Sequence, residues 1–172
     1  MDDITLLPNL ELEFRLGKIK KNRFDTNIKE TSYYKIKALL DKSESCKVLS
    51  SEYVDIFYED VRYNNITNTY IQKKSLHKED LSNNIYDIRI SVSQELPATC
   101  KKKETYRRNK KRDQYIFRNW SIDLTIVTLD NNITYECELE YHNINYIRSH
   151  DLMFLKKLAI KELNNILVCS NI

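Results

Sequence analysis

Glutamate recurs at every second position in Glu136-Cys137-Glu138-Leu139-Glu140, and a second acidic pair, Glu11 and Glu13, stands in the alternating segment Leu10-Glu11-Leu12-Glu13-Phe14-Arg15-Leu16. Successive side chains of an extended strand point to opposite faces, so each segment would gather its carboxylates on one face, roughly 6 to 7 Å apart. Carboxylate oxygens are ligands for hard divalent cations. Other metal and nucleophile chemistry has little to stand on. His77, His142 and His150 show no ligand spacing, and Cys46, Cys100, Cys137 and Cys169 form no Cys-x-x-Cys motif and read as reduced thiols.

Polar faces recur along the chain. Asp87, Arg89, Ser91, Ser93 and Glu95 share one side of an alternating run, as do Ser121, Asp123 and Thr125, and again Lys110, Arg112 and Gln114. Their opposite sides carry Ile88, Ile90 and Val92, or Trp120, Ile122, Leu124 and Ile126. A one-sided antiparallel sheet facing water would account for any one of these strands. Polar faces on nearly every strand favour a barrel with a hydrophilic lumen and its apolar core outside. Two carboxylates about 5 Å apart repel by roughly 3 kcal/mol at an effective dielectric near 20. Several in one lumen therefore need protons, interleaved Arg and Lys, or a divalent cation. A site mixing hard-cation ligands with Arg and Lys suits a polyphosphate, whose oxygens both kinds of group neutralise. A phosphate-cradling glycine loop is excluded, because the chain has 1 Gly.

The elements that must position these residues follow from periodicity. Helical spacing is convincing over Ile28 to Lys42, with Tyr33, Ile36, Leu39 and Leu40 on one face. It returns at the chain end, where Ser149 or Asp151 can cap a helix with the stripe Leu152, Leu155, Ala159, Leu163, Ile166 and Leu167. Period-two segments occupy Leu10–Leu16, Tyr53–Tyr58, Tyr70–Leu76, Tyr86–Glu95, Gln114–Phe117, Trp120–Val127 and Thr134–Tyr141. Turn-forming clusters at Glu59-Asp60, Asn64-Asn65, Ser82-Asn83-Asn84 and Asp130-Asn131-Asn132 separate strands as hairpins require. The expected class is α+β: an antiparallel closed barrel of about eight strands, braced outside by a few helices. At 172 residues, 41% hydrophobic and 31% charged with net charge +3, residues 1–172 read as one domain. No apolar run is long enough to span a bilayer and no signal-like leader opens the chain, so no membrane partner is expected and an intracellular location is. The run Lys101-Lys102-Lys103 reads as a solvated loop.

Glu11-Leu-Glu13-Phe-Arg15-Leu-Gly17-Lys18 at one end and Glu136-Cys-Glu138-Leu-Glu140 at the other resemble the metal-dependent RNA 5′-triphosphatases of fungi, protozoa and large DNA viruses, members of the triphosphate tunnel metalloenzymes. Tyr58-Glu-Asp-Val-Arg62, Ile71-Gln-Lys73-Lys74, Tyr86 to Glu95, Lys110-Lys-Arg112 and Trp120 to Thr125 agree in order, so the resemblance spans Leu10 to Leu167.

The resemblance implies that Glu11, Glu13 and Glu140 hold a manganese or magnesium ion, with Glu136 and Glu138 supporting it through water or neighbouring groups. Arg62, Lys73 or Lys74, Lys110 and Arg112 correspond to phosphate-binding positions, and Glu95 to the carboxylate that orients the attacking water. Asp123 and Thr125 match supporting lumen residues, and Arg15 and Arg89 join the substrate-binding set. Gly17 falls where the family's first strand ends, with permissive backbone geometry as the expected reason. Ser121 stands where many relatives carry arginine, and Arg118 is the candidate substitute. The implied reaction removes the γ-phosphate of 5′-triphosphate RNA, leaving a diphosphate end for capping, with nucleoside triphosphates as further substrates. Lys101 to Arg108 would form a basic rim for RNA. A guanylyltransferase and a second copy of the chain are the candidate protein partners. The site of action would be a nucleus or a cytoplasmic virus factory. Two other readings stay open: a hydrolase of inorganic tripolyphosphate or another small triphosphate, disfavoured by Arg15 where such enzymes typically carry lysine, and a noncatalytic polyphosphate- or RNA-binding barrel.

Overall fold

The computed structural model describes residues 7–99 and 103–172. Its strands are β1 (Leu10–Lys20), β2 (Arg23–Asp25), β3 (Lys47–Tyr58), β4 (Val61–Asn64), β5 (Thr69–Leu81), β6 (Asp87–Pro97), β7 (Tyr106–Ile116), β8 (Trp120–Leu129) and β9 (Asn132–Tyr141). The helices are α1 (Glu30–Leu40), α2 (Ile144–Arg148) and α3 (Leu152–Cys169). Strands pair in the order β1-β6-β5-β4-β3-β7-β8-β9, and β9 returns to β1, closing an antiparallel eight-stranded barrel. The strand outside the ring, β2, pairs among the described residues only with the end of β1. Lys21 and Asn22, with φ of 46° and 62°, make the two-residue turn between them, the geometry that matches the twist of a tight hairpin.

The barrel is built inside out. Leu12, Phe14 and Leu16 of β1, Ile88, Ile90 and Val92 of β6, Ile122 and Leu124 of β8, and Cys137, Leu139 and Tyr141 of β9 are buried on its outer surface. Tyr33, Ile36 and Leu40 of α1 join them, with Leu155, Ala159, Leu163 and Leu167 of α3, in one apolar cluster. Asp151 caps α3 by accepting from the Phe154 amide at 2.7 Å. Tyr141 donates to the Leu155 carbonyl at 3.1 Å, and Lys156 meets Glu79 at 2.7 Å, tying the helix to the barrel.

Several strands are longer than the alternation predicts. β7 begins at Tyr106 rather than Gln114, because Arg107, Arg108, Lys110, Lys111 and Arg112 put charge on both faces and erase the apolar–polar contrast. α1 is shorter than Ile28 to Lys42, and α2 is an additional single turn capped by the Asn143 side chain. Cys46, Cys137 and Cys169 are free thiols. Cys100, Lys101 and Lys102, and with them part of the expected basic rim, lie outside the described residues.

Gly17 corrects two expectations. β1 continues through it to Lys20, and no glycine has positive φ. Its reason is close approach: a Cβ there would overlap the Asp25 carbonyl oxygen and the Phe24 ring. Gly17→Ala should therefore cost about 1–3 kcal/mol of overpacking. In a chain of this size that lowers Tm by about 2–4 °C per kcal/mol. An unchanged melting curve would remove close packing as the reason for glycine.

Candidate active site

The barrel encloses a cavity of about 500 Å³ whose wall carries eight Arg or Lys and seven Asp or Glu side chains. Such near balance is what allows so many charges to share a confined space.

The acidic wall is made where β1 and β9 close the ring. Their register sets Glu13 opposite Glu140 and Arg15 opposite Glu138. Arg15 Nη2 lies 2.8 Å from Glu138 and 3.5 Å from Glu13. Lys73 Nζ, from β5, lies 2.6 Å from Glu11 and 3.4 Å from Glu13. Ser93 donates to Glu11 at 3.1 Å, and Thr26 to Glu136 at 2.8 Å. Burial would raise the Glu138 carboxyl, but Arg15, then Arg112, Lys110 and Lys73, hold it down at about 2. Glu140 has no ion pair among the described residues: burial, with Asp123, Glu11, Glu138 and Glu13 around it, pushes it up to about 8. Burial and the charge of Glu138 also raise Glu13, against Arg15 and Lys73.

The cationic wall comes from β7 and its neighbours. Arg112 lies 3.0 Å from Asp123 and donates through Nε to Thr125 Oγ1 at 3.1 Å. Ser121 and Gln114 also donate to Asp123, at 2.9 and 3.3 Å. Lys110 Nζ is 2.9 Å from the fully buried Asp55. Burial and then Arg108 lower the Lys110 ammonium, with Asp55 pulling the other way. On the β4 side, Arg62 Nη2 meets Glu95 at 2.6 Å. Burial and the neighbouring Glu11 raise Glu95, so this carboxyl holds a proton more readily than Glu11.

Glu11, Glu13, Arg15, Arg62, Lys73, Arg89, Lys110, Arg112, Glu136, Glu138 and Glu140 all line the one cavity. Asp123 and Thr125 sit behind it as the buried partners of Arg112. Glu95 stands at the margin, lining an adjoining apolar groove that shares Glu11 and Ile71 with the tunnel. Arg89 faces the cavity farther along, gripped by Asp80 at 2.7 and 2.8 Å with Phe24 against its guanidinium. Lys74 is a correction: the alternation of β5 puts Lys73 on the lumen and leaves Lys74 exposed and outside the cavity lining. Arg118 is exposed in the β7–β8 turn, away from the cavity, so it does not replace the arginine absent at Ser121. Tyr53 and Asp55 are lumen residues that sequence reasoning passed over, and Arg108, expected on the basic rim, lines the lumen as well. The alternation Tyr53-Val54-Asp55 carried the signal, but a single acid among aromatics does not stand out.

Residues 12–167 match the family model described as mRNA capping enzyme, beta chain. The chain belongs to that family. Among the solved structures that share its fold are two of S. pombe Pct1 RNA triphosphatase. One, in complex with the Spt5 CTD, superposes with a TM-score of 0.78 at 20% identity, covering 93% of this chain and 86% of that one. The other gives 0.75 at 20% identity, covering 95% and 85%. At that identity the likeness establishes the fold. The comparison with curated protein sequences gives no match. Membership in the beta-chain family makes the protein an RNA 5′-triphosphatase, a hydrolase acting in mRNA capping.

The family is metal-dependent. Among the described residues no three His, Cys, Asp or Glu side chains converge as a ready-made metal cage. The donor chemistry nevertheless fits a hard cation. Glu11, Glu13 and Glu140 are carboxylates on one wall, two of them raised by burial and then by like charge, and the Lys73 ammonium already bridges Glu11 and Glu13.

Proposed function

We propose that this chain hydrolyses the γ-phosphate of triphosphate-ended RNA with manganese or magnesium held by Glu11, Glu13 and Glu140. The observation that carries this reading is the closed ring that sets the acidic wall of β1 and β9 facing the Arg and Lys of β4, β5 and β7 across one cavity. A divalent ion on those carboxylates would offset charge on the γ-phosphoryl oxygens. Arg62, Lys73, Lys110 and Arg112 bind the phosphate tail, exchanging part of their contact with Glu95, Glu11, Asp55 and Asp123 for phosphoryl oxygens. Glu95 orients the attacking water. Because attack is in line, the leaving diphosphate points away from Glu95. Glu95 stands six positions along β6 from Arg89, about 20 Å at the rise of a strand. The nucleoside end therefore extends toward the mouth at Arg89. Action on RNA 5′ ends fits a nucleus or a cytoplasmic virus factory, and the Pct1 complex suggests a Spt5-type tail, alongside a guanylyltransferase, as a protein partner.

The test is phosphate release from γ-labelled triphosphate RNA, ATP and tripolyphosphate, with magnesium or manganese, comparing wild type with Glu11→Ala. Metal-dependent release from RNA, lost in the variant, is expected. Release from tripolyphosphate alone would favour the small-substrate hydrolase, and binding without release would leave a noncatalytic barrel.

A further inference from the structure

Tyr53 lies directly opposite Lys110 in the β3–β7 register and is an aromatic side chain in a charged cavity wall. Its ring centroid is 5.7 Å from Lys110 Nζ and 5.8 Å from Arg112 Cζ. Buried tyrosine hydroxyls ordinarily find a partner. Tyr86 donates to the Ile28 carbonyl, Tyr115 to Asp41, and Tyr141 to the Leu155 carbonyl. Among the described residues nothing accepts from Tyr53, whose side chain borders the tunnel between the two cations placed to meet phosphate.

We infer that Tyr53 is a phosphate-binding residue, its hydroxyl donating to a phosphoryl oxygen held by Lys110 and Arg112. The inference rests on the triphosphatase reading and adds a contact to it. A neutral donor suits this position. Arg108, Lys110 and Arg112 already crowd three positive charges along β7, and a fourth would repel them. A phenol adds a hydrogen bond without adding charge, and its ring face attracts the ammonium and guanidinium beside it. Burial, with Asp55 and Glu138 nearby, raises the phenol above its ordinary value despite Arg112 and Arg62, which keeps the donor proton in place.

Tyr53→Phe removes the hydroxyl and keeps the ring. For a donor to a charged acceptor, kcat/KM on triphosphate RNA should fall roughly tenfold to a hundredfold. The calorimetric Kd for tripolyphosphate with magnesium should rise by a similar factor, with an unchanged Tm. Equal kcat/KM and equal tripolyphosphate affinity beside an active wild type would overturn the contact. A lower Tm with unaltered affinity would do the same, by making Tyr53 a packing residue. A wild type that releases no phosphate yet binds tripolyphosphate more tightly than Y53F would overturn the hydrolytic reading and keep the contact.

Discussion

Glu140→Gln is expected to lower metal-dependent phosphate release more than about a hundredfold, beyond the cost of losing an outer support of a metal site, and yet to make the metal-free protein melt higher at alkaline pH. Both effects have one origin. Burial and four neighbouring carboxylates push the Glu140 carboxyl up to about 8 from an ordinary 4.5. In that window the folded protein keeps a proton that the unfolded chain releases. The stability this group contributes is therefore fully present below about 4.5 and is lost as pH rises through about 8. Glutamine, neutral and of the same shape, carries no such loss. The variant's gain in Tm should vanish near pH 5, grow toward pH 8 and level off above it. With Glu140 in the proposed role of metal ligand, the same proton competes with the cation, so wild-type magnesium or manganese affinity should climb with pH and flatten above about 8. Equal melting of wild type and variant at pH 9, or metal affinity that is flat from pH 6 to 8, would sink this account.

Arg15→Met should destabilise the fold more than any other single lumen change considered. Glu138 is 4% exposed, and Arg15, 2.8 Å away, is the foremost charge holding its carboxyl near 2 against burial. Removing one partner of a buried pair strands the other, at a cost of about 3–5 kcal/mol. At about 2–4 °C per kcal/mol that lowers Tm on the order of 6–20 °C. Adding Glu138→Gln to Arg15→Met should recover part of the loss, because the stranded charge is then gone. Strict additivity of the two substitutions in thermal melts would show that the pair is not coupled.

The sequence was most legible where one face of a strand is purely apolar. Leu12, Phe14 and Leu16 against Glu11, Glu13 and Arg15 disclose both the outer core and the lumen, because alternation is a property of a single strand. The same holds for β6, β8 and β9, whose outer faces meet helices. It fails on β7, where charge lies on both faces, and at Lys73-Lys74, where two like residues leave the register ambiguous by one.

Composition and alternation by themselves thus determined the fold class, the inside-out placement of the core, and which carboxylates share a wall. Closure of the ring decided the rest. It set Arg15 against Glu138 while leaving Glu140 among like charges, brought Lys73 from β5 to Glu11, and placed Tyr53 and Asp55 beside the Lys110 cation. These meetings join residues far apart in the chain: Arg15 and Glu138 are 123 positions apart, and Glu13 and Glu140 are 127. A local period says which way a side chain points; only the register and shear of a closed sheet say what it meets.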